Sequence, residues 1–456
     1  MTSVVPSDLS AASPPSGGGH AEVPRTLVEP APKALGTLDQ LGLWGNLGVS
    51  LLGFSGALVV LRPGGPDSPP LSLVAALVAT LVGTVLGAAA VAAAAVAGAQ
   101  TSAPGMVLLR GLFGVRLSYL PTVLNLVQML GWGVFEVVTI STAAAQLVPS
   151  VPRWVFVVVI GVVTTLLAMR PLGTVRVLRK YVTVAMLAAL AYLVVQLLRA
   201  PQSLGTGGGW AGFTVGVDTT LAVAVSWVPI AADYARYSRS SRAAAAGPLV
   251  GYAFSQVACY GLGLLALLQV AGDPDRIFSS FLAVPLGGLA FAILVLRELD
   301  QSFANVYSST VAIQNLRPRW DRRVISAVAG AVITLLALNV DIYGYASFLS
   351  LIGSVFVPMF AVLVVDYFVL GGGRRWDVSE TARPRPLMLV PWAVGFVVYQ
   401  LIYPGQVSWW ASLWESVAAT VRFEPQSWMS ASLFSFVAAA AVTVAIQLVG
   451  RTGARR

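Results

Sequence analysis

The chain has 456 residues, of which 57% are hydrophobic and only 10% are charged, and its mean hydropathy is +0.80. A soluble domain carries about 25% charged residues, so this composition excludes an ordinary soluble protein. The net charge of +9 is spread over short loops, which argues against a nucleic-acid partner. Because Cys259 and His20 are the single cysteine and the single histidine, an intramolecular disulfide and a buried histidine metal site or relay are excluded.

Residues 1–36 are rich in Pro, Ser, Gly and Ala and contain no apolar run, so we predict a disordered cytoplasmic tail. Twelve apolar segments follow, each suited to crossing a bilayer as a helix. With the N-terminus inside, the inner loops hold 22 Arg and Lys residues and the outer loops hold five. This asymmetry predicts a multi-pass protein of the plasma (inner) membrane with both termini in the cytoplasm. The predicted spans are residues 41–62, 71–97, 120–147, 153–169, 181–198, 217–235, 248–271, 286–315, 324–341, 343–370, 387–403 and 431–449.

Two of these spans are interrupted. The first carries five glycines, and the sixth carries Pro229 near its middle. Glycine lowers the cost of local unwinding, and proline removes a backbone donor. Interruptions five helices apart favour two inverted five-helix repeats, residues 41–198 and 217–370, with a binding site near the midplane. Small residues that let helices pack closely are the alternative interpretation. With two extra helices in residues 387–449, we predict an all-α integral membrane transporter domain of 12 transmembrane helices over residues 37–450.

The third span presents a candidate site for a planar ring. Trp132 and Glu136 are four residues apart, so they share one face of the helix. An acid within a span costs at least about 2.5 kcal/mol to insert, and a tryptophan beside it offers a flat face for stacking. Gln128, one turn earlier, either contacts the ligand or bonds a neighbouring helix. Trp227, two residues before Pro229, is the candidate for a second wall, although a packing or interfacial role suits a tryptophan equally.

The eighth span presents a candidate cation site. Asn305, Ser308 and Ser309 have i, i+3, i+4 spacing and place three neutral oxygens on one face. Sodium prefers hard oxygen ligands, and carbonyls near Gly53 and Gly56 in a broken first helix would complete the shell. The alternative is that the serine hydroxyls bond back to the carbonyl four residues earlier, as is common in membrane helices.

The same span contains charged residues. Arg297 and Glu298 are adjacent and do not face each other along a helix, so each is expected to have a partner elsewhere. Asp300, like Glu136, is a candidate for carrying a proton. Gln314, near the inner end of the span, either contacts a polar ligand or caps the helix.

Several segments together resemble the purine–cytosine permease branch of the nucleobase:cation symporter-1 family. The resemblance extends over about residues 35–450 and is carried by GAQTSAPGMVLLRGLFGVRLSYLP before helix 3, GW-x3-E in helix 3, SWVPIAADYARYSR at the end of helix 6, NVYSS in helix 8 and FLSLIGSVFVPMFAVLVVDYF in helix 10. It implies two inverted five-helix repeats plus two extra helices, with a nucleobase-like ring bound between helices 1, 3, 6 and 8.

The resemblance also implies roles for particular residues. Trp132 would stack on the ring, and Glu136 would contact its polar edge at a position where relatives often have an amide. That departure leaves room for proton coupling. The helix 6 aromatic position corresponds to Ala224 when aligned from Asp233, or to Trp227 in the SWVP context. The implied sodium ligands are Gly53, Gly56, Asn305, Ser308 and Ser309, and Gln314 falls near a polar substrate contact.

We therefore predict a secondary active transporter that imports a nucleobase, cytosine or a purine, or a related heterocycle, through alternating access. The coupling ion is Na⁺ or H⁺, sodium is the only expected metal, no cofactor is expected, and the oligomeric state is left open. The expected partners are the small heterocyclic substrate, the cation and the lipid bilayer. The alternatives are a transporter of an amino acid or a vitamin precursor on the same architecture, and a non-transporting membrane sensor or membrane enzyme.

Overall fold

The computed structural model describes residues 31–63, 68–169, 183–200, 208–270, 277–340, 345–405 and 407–453. Over these ranges the chain is almost entirely helical, and its strand-like pairing consists of isolated bridges, Leu35 with Ser238 and Leu71 with Gly209. The α-helices are α1 (Thr37–Gly48), α2 (Leu51–Leu61), α3 (Leu73–Thr101), α4 (Gly105–Phe113), α5 (Tyr119–Leu147), α6 (Arg153–Met169), α7 (Thr183–Arg199), α8 (Phe213–Val225), α9 (Val228–Ala235), α10 (Ser241–Ala246), α11 (Ala253–Gln269), α12 (Ile277–Leu282), α13 (Gly287–Leu316), α14 (Arg322–Ala337), α15 (Tyr345–Val364), α16 (Leu389–Ile402), α17 (Ser408–Thr420) and α18 (Ala431–Gly453). Short π-helical turns at Gly247–Tyr252 and Val365–Val369 join α10 to α11 and extend α15.

The distribution of polar and apolar side chains is the reverse of that in a soluble protein. Large apolar residues such as Leu81 and Val162 are half exposed on the outside of the bundle, whereas Asn125, Glu136 and Arg297 are buried inside it. Lipid solvates apolar side chains and cannot pair polar ones, so this arrangement is the one expected within a bilayer.

Length and apolarity identify fewer spans than the sequence predicts. Six helical segments among the described residues are long and apolar enough to cross a membrane, and counting the bent pair α1–α2 as one span raises the number to seven. Three shorter apolar helices, Arg153–Met169, Val184–Arg199 and Pro386–Ile402, fall below that length. The number of twelve spans therefore stays a prediction.

The predicted interruptions coincide with helix breaks. α1 and α2 meet at Val49 and Ser50 with a bend of 52°. α8 ends at Val225 and α9 begins at Val228, with Pro229 in the first turn of α9, where its missing N–H costs no helical hydrogen bond. Each break leaves backbone groups free for side chains of other helices.

The broken helix α8–α9 lies against α3 through small residues. A Cβ atom on Gly83 would lie 2.1 Å from Thr220 Oγ1, and one on Gly98 would lie 2.4 Å from the Cβ atom of Ala232. Only glycine allows the two helices to approach this closely. α5 packs along α13, where Asn315 Nδ2 donates to Thr122 Oγ1 at 2.8 Å.

The segment before α1 is fastened to the end of α9. The backbone N–H of Leu35 donates to Tyr237 O at 2.9 Å, and that of Arg239 donates to Leu35 O at 2.9 Å. Lys33 Nζ donates to Ala99 O at 3.0 Å and to Arg236 O at 2.9 Å. Burial, followed by the nearby Arg236 guanidinium, lowers the pKa of Lys33. The last residues of the predicted tail thus pack on the bundle, and residues 1–30 lie outside the described residues.

A cluster of hydrogen bonds, here called the Asp366 cluster, joins the π-helical turn after α15 to the loop before α16 and to α18. Arg385 donates to Asp366 from Nη1 to Oδ2 at 2.9 Å and from Nη2 to Oδ1 at 2.8 Å. Trp376 Nε1 and Gln447 Nε2 donate to the same carboxylate at 2.6 and 2.9 Å. Each oxygen of the buried carboxylate accepts two hydrogen bonds, so the cluster has the features of a structural joint.

Candidate functional site

The break between α1 and α2 is held by side chains. Ser50 precedes α2, and its hydroxyl oxygen accepts a hydrogen bond from the N–H of Leu52 at 3.1 Å. Oε1 of Glu298, on α13, accepts a hydrogen bond from the N–H of Leu51 at 2.9 Å. A helix N-terminus has unpaired N–H groups and a partial positive charge, so a carboxylate from another helix stabilises it. On the α1 side of the break, Gly48 packs directly on the π-helical turn Gly247–Tyr252, since a Cβ atom at Gly48 would lie only 2.7 Å from Tyr252 O.

The break between α8 and α9 also has a partner from another helix. Nε2 of Gln128, on α5, donates to Ser226 O at 2.8 Å. Of the two roles expected for Gln128, this is the bond to a neighbouring helix. Trp227, at the same break, has its ring 6.0 Å from that of Trp44 and 6.2 Å from that of Tyr252, both edge-on.

The two breaks enclose a small cavity together with α5, α11 and α13. Its volume is about 30 Å³, enough for about two water molecules. Of the predicted site residues, five line it: Trp132, Glu136, Trp227, Asn305 and Gly53. The rest of the lining consists of Leu47, Gly48, Ser50, Leu52, Met129, Val223, Ser226, Ile230, Tyr252, Gln256, Cys259 and Tyr260. The helical spacing of Trp132 and Glu136 therefore places both on the face that meets the breaks.

Other predicted residues lie elsewhere. Gln314 Nε2 donates to Trp320 O at 2.8 Å, at the end of α13 and away from the cavity lining. Ser308 Oγ lies 3.3 Å from the hydroxyl of Tyr234 on α9. Gly56 faces the ring of Tyr260, where an added Cβ would lie 2.8 Å from the hydroxyl oxygen. Ser309 is fully buried on α13.

Asp300 belongs to α13, but its side chain lies outside what the structure describes. The predicted cation ligands are thus spread over several places. Asn305 and Gly53 line the cavity, Ser308 contacts Tyr234 of α9, and Gly56 packs against Tyr260 of α11.

Charged side chains meet beside the cavity in a way that the sequence did not predict. Glu136 and Glu298 are buried, and their carboxyl groups lie within hydrogen-bonding reach of each other. Arg297 Nη1 lies 3.8 Å from Glu298 Oε2, although adjacent residues point to different faces of a helix. The long arginine side chain brings its guanidinium back toward its neighbour. In the sequence, this cluster is indicated only by three charged residues within one apolar span, Arg297, Glu298 and Asp300.

Two further residues that sequence reasoning missed are on α11 and at the break. Gln256 Nε2 donates to Thr84 Oγ1 and to Thr220 O, both at 2.9 Å, and so joins α11 to α3 and α8. Ser50 contacts both buried acids. A glutamine within an apolar span could have been identified as a candidate from the sequence. The role of Ser50 could not, because it depends on the exact position of the helix break.

Comparisons with known proteins identify the family and the fold. Residues 64–383 match the family profile described as permease for cytosine/purines, uracil, thiamine, allantoin. No curated protein sequence matches the chain.

Solved structures share the fold. A closed structure of Mhp1, a nucleobase-cation-symport-1 family transporter with bromovinylhydantoin bound, superimposes with a TM-score of 0.69 at 17% identity, over 92% of this chain and 95% of that one. An inward-facing structure of Mhp1 gives 0.66 at 15% identity over 94% of both chains. A substrate-bound, outward-open Na⁺-coupled sialic acid symporter gives 0.50 at 11% identity, over 91% of this chain and 98% of that one. At such identities the likeness concerns the fold.

Proposed function

The chain belongs to the nucleobase:cation symporter-1 family of permeases, and we propose that it imports a nucleobase, cytosine or a purine first, together with Na⁺ or H⁺. Membership makes it a multi-pass membrane transporter that works by alternating access, and not an enzyme. The choice of substrate, the direction and the ion are the proposed parts. The observation that supports them is the meeting of Trp132, Glu136, Trp227 and Asn305 at one cavity between two helix breaks.

The chemistry of this cavity suits a planar heterocycle. The indole of Trp132 offers a face on which an aromatic ring stacks. Glu136 offers carboxyl oxygens to ring or exocyclic N–H groups, and the Asn305 amide both donates and accepts. A base that loses its hydration on entry therefore finds stacking and hydrogen bonds on several sides.

The cavity has to widen before it admits such a ligand. Ligand pockets commonly have volumes of about 300–1,000 Å³, whereas this one has about 30 Å³. The bend at α1–α2 and the turn at α8–α9 are the places where backbone rotation opens it at least cost, because regular α-helical hydrogen bonding is interrupted there. At the turn, the N–H of Trp227 donates to Ala224 O and that of Ile230 donates to Trp227 O, three residues back instead of four. We propose that cation and substrate together favour the ordered form of these breaks, after which one bundle rocks against the other.

Two sets of residues are candidates for the coupling ion. For sodium, the set is the carbonyls of Gly53 and Gly56 with the side chains of Asn305, Ser308 and Ser309. For a proton, it is Glu136 and Asp300. The sodium set requires Ser308 to exchange its contact with Tyr234 for the ion.

The test is uptake of labelled cytosine, adenine and hypoxanthine into proteoliposomes, with Na⁺ and H⁺ gradients imposed separately. Accumulation of at least one base under one gradient, and its loss in Trp132→Ala, is the expected result. Trp428→Ala is the matched control, since Trp428 is exposed and remote from the cavity lining. Absence of uptake and of binding for every base would reject the nucleobase assignment.

A vitamin substrate is the second candidate, because the family description includes thiamine. Thiamine is cationic and aromatic, so it suits a carboxylate beside a tryptophan face. A Glu136→Gln variant that changes the ranking among heterocycles would argue against an amino-acid cargo on the same architecture. Competition of thiamine against labelled cytosine separates the two heterocycle classes.

We also propose the topology that the charge asymmetry indicates: twelve crossings, cytoplasmic termini, a tail in residues 1–36, repeats in residues 41–198 and 217–370, and extra helices in residues 387–449. Cys259 is the single cysteine and is buried, so a Cys259→Ala background allows cysteine labelling with an impermeant reagent. We expect Arg422→Cys to react from outside intact cells and Arg239→Cys to react only after permeabilisation. The reverse pattern would reject the orientation.

A further inference from the structure

The buried acids beside the helix break suggest the identity of the coupling ion. We propose that Glu136 and Glu298 share one proton, and that this proton is the ion that travels with the substrate. The proposal rests on the proposed function, because coupling has meaning only for a transporter. It adds Glu298, a residue that the sequence analysis did not assign to the site.

The two carboxyl groups lie close enough to share a proton. Glu136 and Glu298 come from α5 and α13, are 1% and 0% exposed, and lie within hydrogen-bonding reach of each other. An ionised carboxylate only accepts hydrogen bonds, so two ionised groups repel each other at this distance. One proton between them turns the repulsion into a charge-assisted hydrogen bond.

The net charge of Arg297, Glu136 and Glu298 also favours one shared proton. Arg297 lies 3.8 Å from Glu298 and is fully buried. With both acids ionised the described cluster carries a net charge of −1, whereas with one proton it is neutral. A neutral cluster is far cheaper to hold inside a membrane protein. The cluster therefore changes between two states that differ by one proton.

Few charged or titratable groups surround the Glu136–Glu298 pair among the described residues. The charged or titratable groups described as facing it are Arg297 on α13 and the Cys259 thiol on α11. The break between α1 and α2 contributes the Ser50 hydroxyl and the N–H of Leu51, which donates to Glu298 at 2.9 Å. Asp300 follows Glu298 by two residues on α13, and its side chain is not described.

These contacts connect the proton to the moving parts. When the pair is ionised, its negative charge strengthens the hold of Glu298 on the N-terminus of α2. When the pair takes up a proton, that hold weakens. At the same time Glu136, which lines the cavity, changes between a group that only accepts and a group that also donates hydrogen bonds. Proton binding thus alters both the break and the substrate surface.

A proton fits this site better than sodium. Two carboxyl groups within hydrogen-bonding reach can share a proton, which needs only one oxygen from each. A metal cation between them would need several further oxygen ligands around it. One proton enters with each substrate from one side and leaves on the other, so the pair returns to its starting protonation state and one positive charge crosses the membrane per cycle.

The first experiment needs no substrate. Infrared spectroscopy of the purified full-length protein in lipid detects the carbonyl stretch of a protonated carboxyl group. We expect such a band at neutral pH in the wild type and its loss in Glu298→Gln and in Glu136→Gln, because the remaining acid then ionises beside Arg297. Asp218→Asn is the control: Asp218 accepts from Ser430 Oγ at 2.6 Å and from the N–H of Ala431 at 2.8 Å, outside the cavity lining. A wild-type spectrum without a band assignable to the pair overturns the proposal.

The second experiment measures coupling in proteoliposomes. Labelled cytosine, adenine and hypoxanthine are used with an imposed pH gradient, and a pH dye follows the proton. We expect Glu298→Gln to lose gradient-driven accumulation and substrate-dependent proton uptake while it retains exchange of labelled for unlabelled base. Asp218→Asn should retain all three. Proton-driven accumulation that survives in Glu298→Gln, or accumulation driven by Na⁺ alone in the wild type, overturns the proposal.

The two experiments separate the possible failures. If no base is bound or exchanged, the proposed nucleobase function fails, and the infrared band still reports on the shared proton. If bases are exchanged but the band is absent, the shared proton fails and the proposed function stands.

Discussion

Two arginine–carboxylate pairs, each with a buried carboxylate, have opposite hydrogen-bonding patterns. In the Asp366 cluster the guanidinium of Arg385 meets the carboxylate through two hydrogen bonds of 2.8 and 2.9 Å, and Trp376 and Gln447 supply two more donors. Beside the cavity, Arg297 approaches Glu298 only to 3.8 Å, and no described residue accepts a hydrogen bond from its guanidinium. Of the two, only the Arg385–Asp366 pair thus has described hydrogen-bond partners for its guanidinium.

The difference distinguishes buried charges that stabilise the fold from buried charges whose protonation state can change. Satisfied charges cannot change partners without a large loss, so the Asp366 cluster fixes α15, α18 and the loop between α15 and α16. Under-bonded charges are costly in a resting protein and persist where their state has to change. We infer that the cavity region keeps an under-bonded pair because its charge changes during transport.

The largest effect is expected from breaking the satisfied pair. Asp366→Ala leaves Arg385 and two further donors without their acceptor, which costs about 3–5 kcal/mol for a buried pair and falls at the lower end because Arg385 is 32% exposed. Thermal unfolding of the detergent-solubilised protein measures the loss. Base affinity of the fraction that folds should be unchanged, and a loss of affinity equal to that of Trp132→Ala would contradict the division between the two regions.

The second largest effect is expected on the affinity of the cavity for a base. Trp132→Ala should weaken binding of cytosine or a purine by about 1–3 kcal/mol, the range found when an aromatic platform for a base is removed. Unfolding temperature should fall less than in Asp366→Ala. Calorimetric titration measures the affinity, and Trp428→Ala is the matched control.

A comparison within α13 gives a smaller effect. Asn305→Ala should weaken base binding by about 1 kcal/mol, the net contribution of one hydrogen bond. Gln314→Ala should leave it unchanged, because Gln314 bonds Trp320 O away from the cavity. Equal losses in both variants, measured by the same titration, would show that the substrate contacts Gln314 as well as Asn305.

The smallest loss of stability is expected from replacing the under-bonded pair as a whole. Arg297→Met combined with Glu298→Gln removes both charges and retains an acceptor for the N–H of Leu51. Replacing a buried ion pair by uncharged residues of similar volume often leaves stability unchanged or raises it by about 1–4 kcal/mol. The unfolding temperature should therefore match or exceed that of the wild type while gradient-driven uptake is lost. A loss as large as that of Asp366→Ala would show that the pair holds the fold.

The sequence was sufficient for much of the cavity. The spacing of Trp132 and Glu136 places them on one face, and Pro229 and the glycines mark breaks that the structure locates at Ser226–Trp227 and Val49–Ser50. Helical periodicity and backbone chemistry act locally, so they can be read without coordinates.

The remaining features depend on how one helix is registered against another. Gln314 and Asn305 are both polar and on the same helix, but the register of α13 against the breaks brings only Asn305 to the cavity. The contact of Glu136 with Glu298 joins two helices that are far apart in sequence, and the rule that adjacent residues do not face each other hid the approach of Arg297 to Glu298. In the Asp366 cluster, Arg385 and Trp376 come from a loop, for which the sequence carries no periodic signal.

The fastening of Lys33 and Leu35 has a mechanical consequence. Tension applied to the N-terminus reaches the bonds of Lys33 to Ala99 and Arg236, and of Leu35 to Tyr237 and Arg239, before it reaches α1. These bonds act on the start of the helix whose other end is the break beside the cavity. A force-spectroscopy handle attached ahead of residue 31 would therefore first detach the segment around Lys33 and Leu35 from α3 and from the end of α9. Only then would the applied force reach the break between α1 and α2.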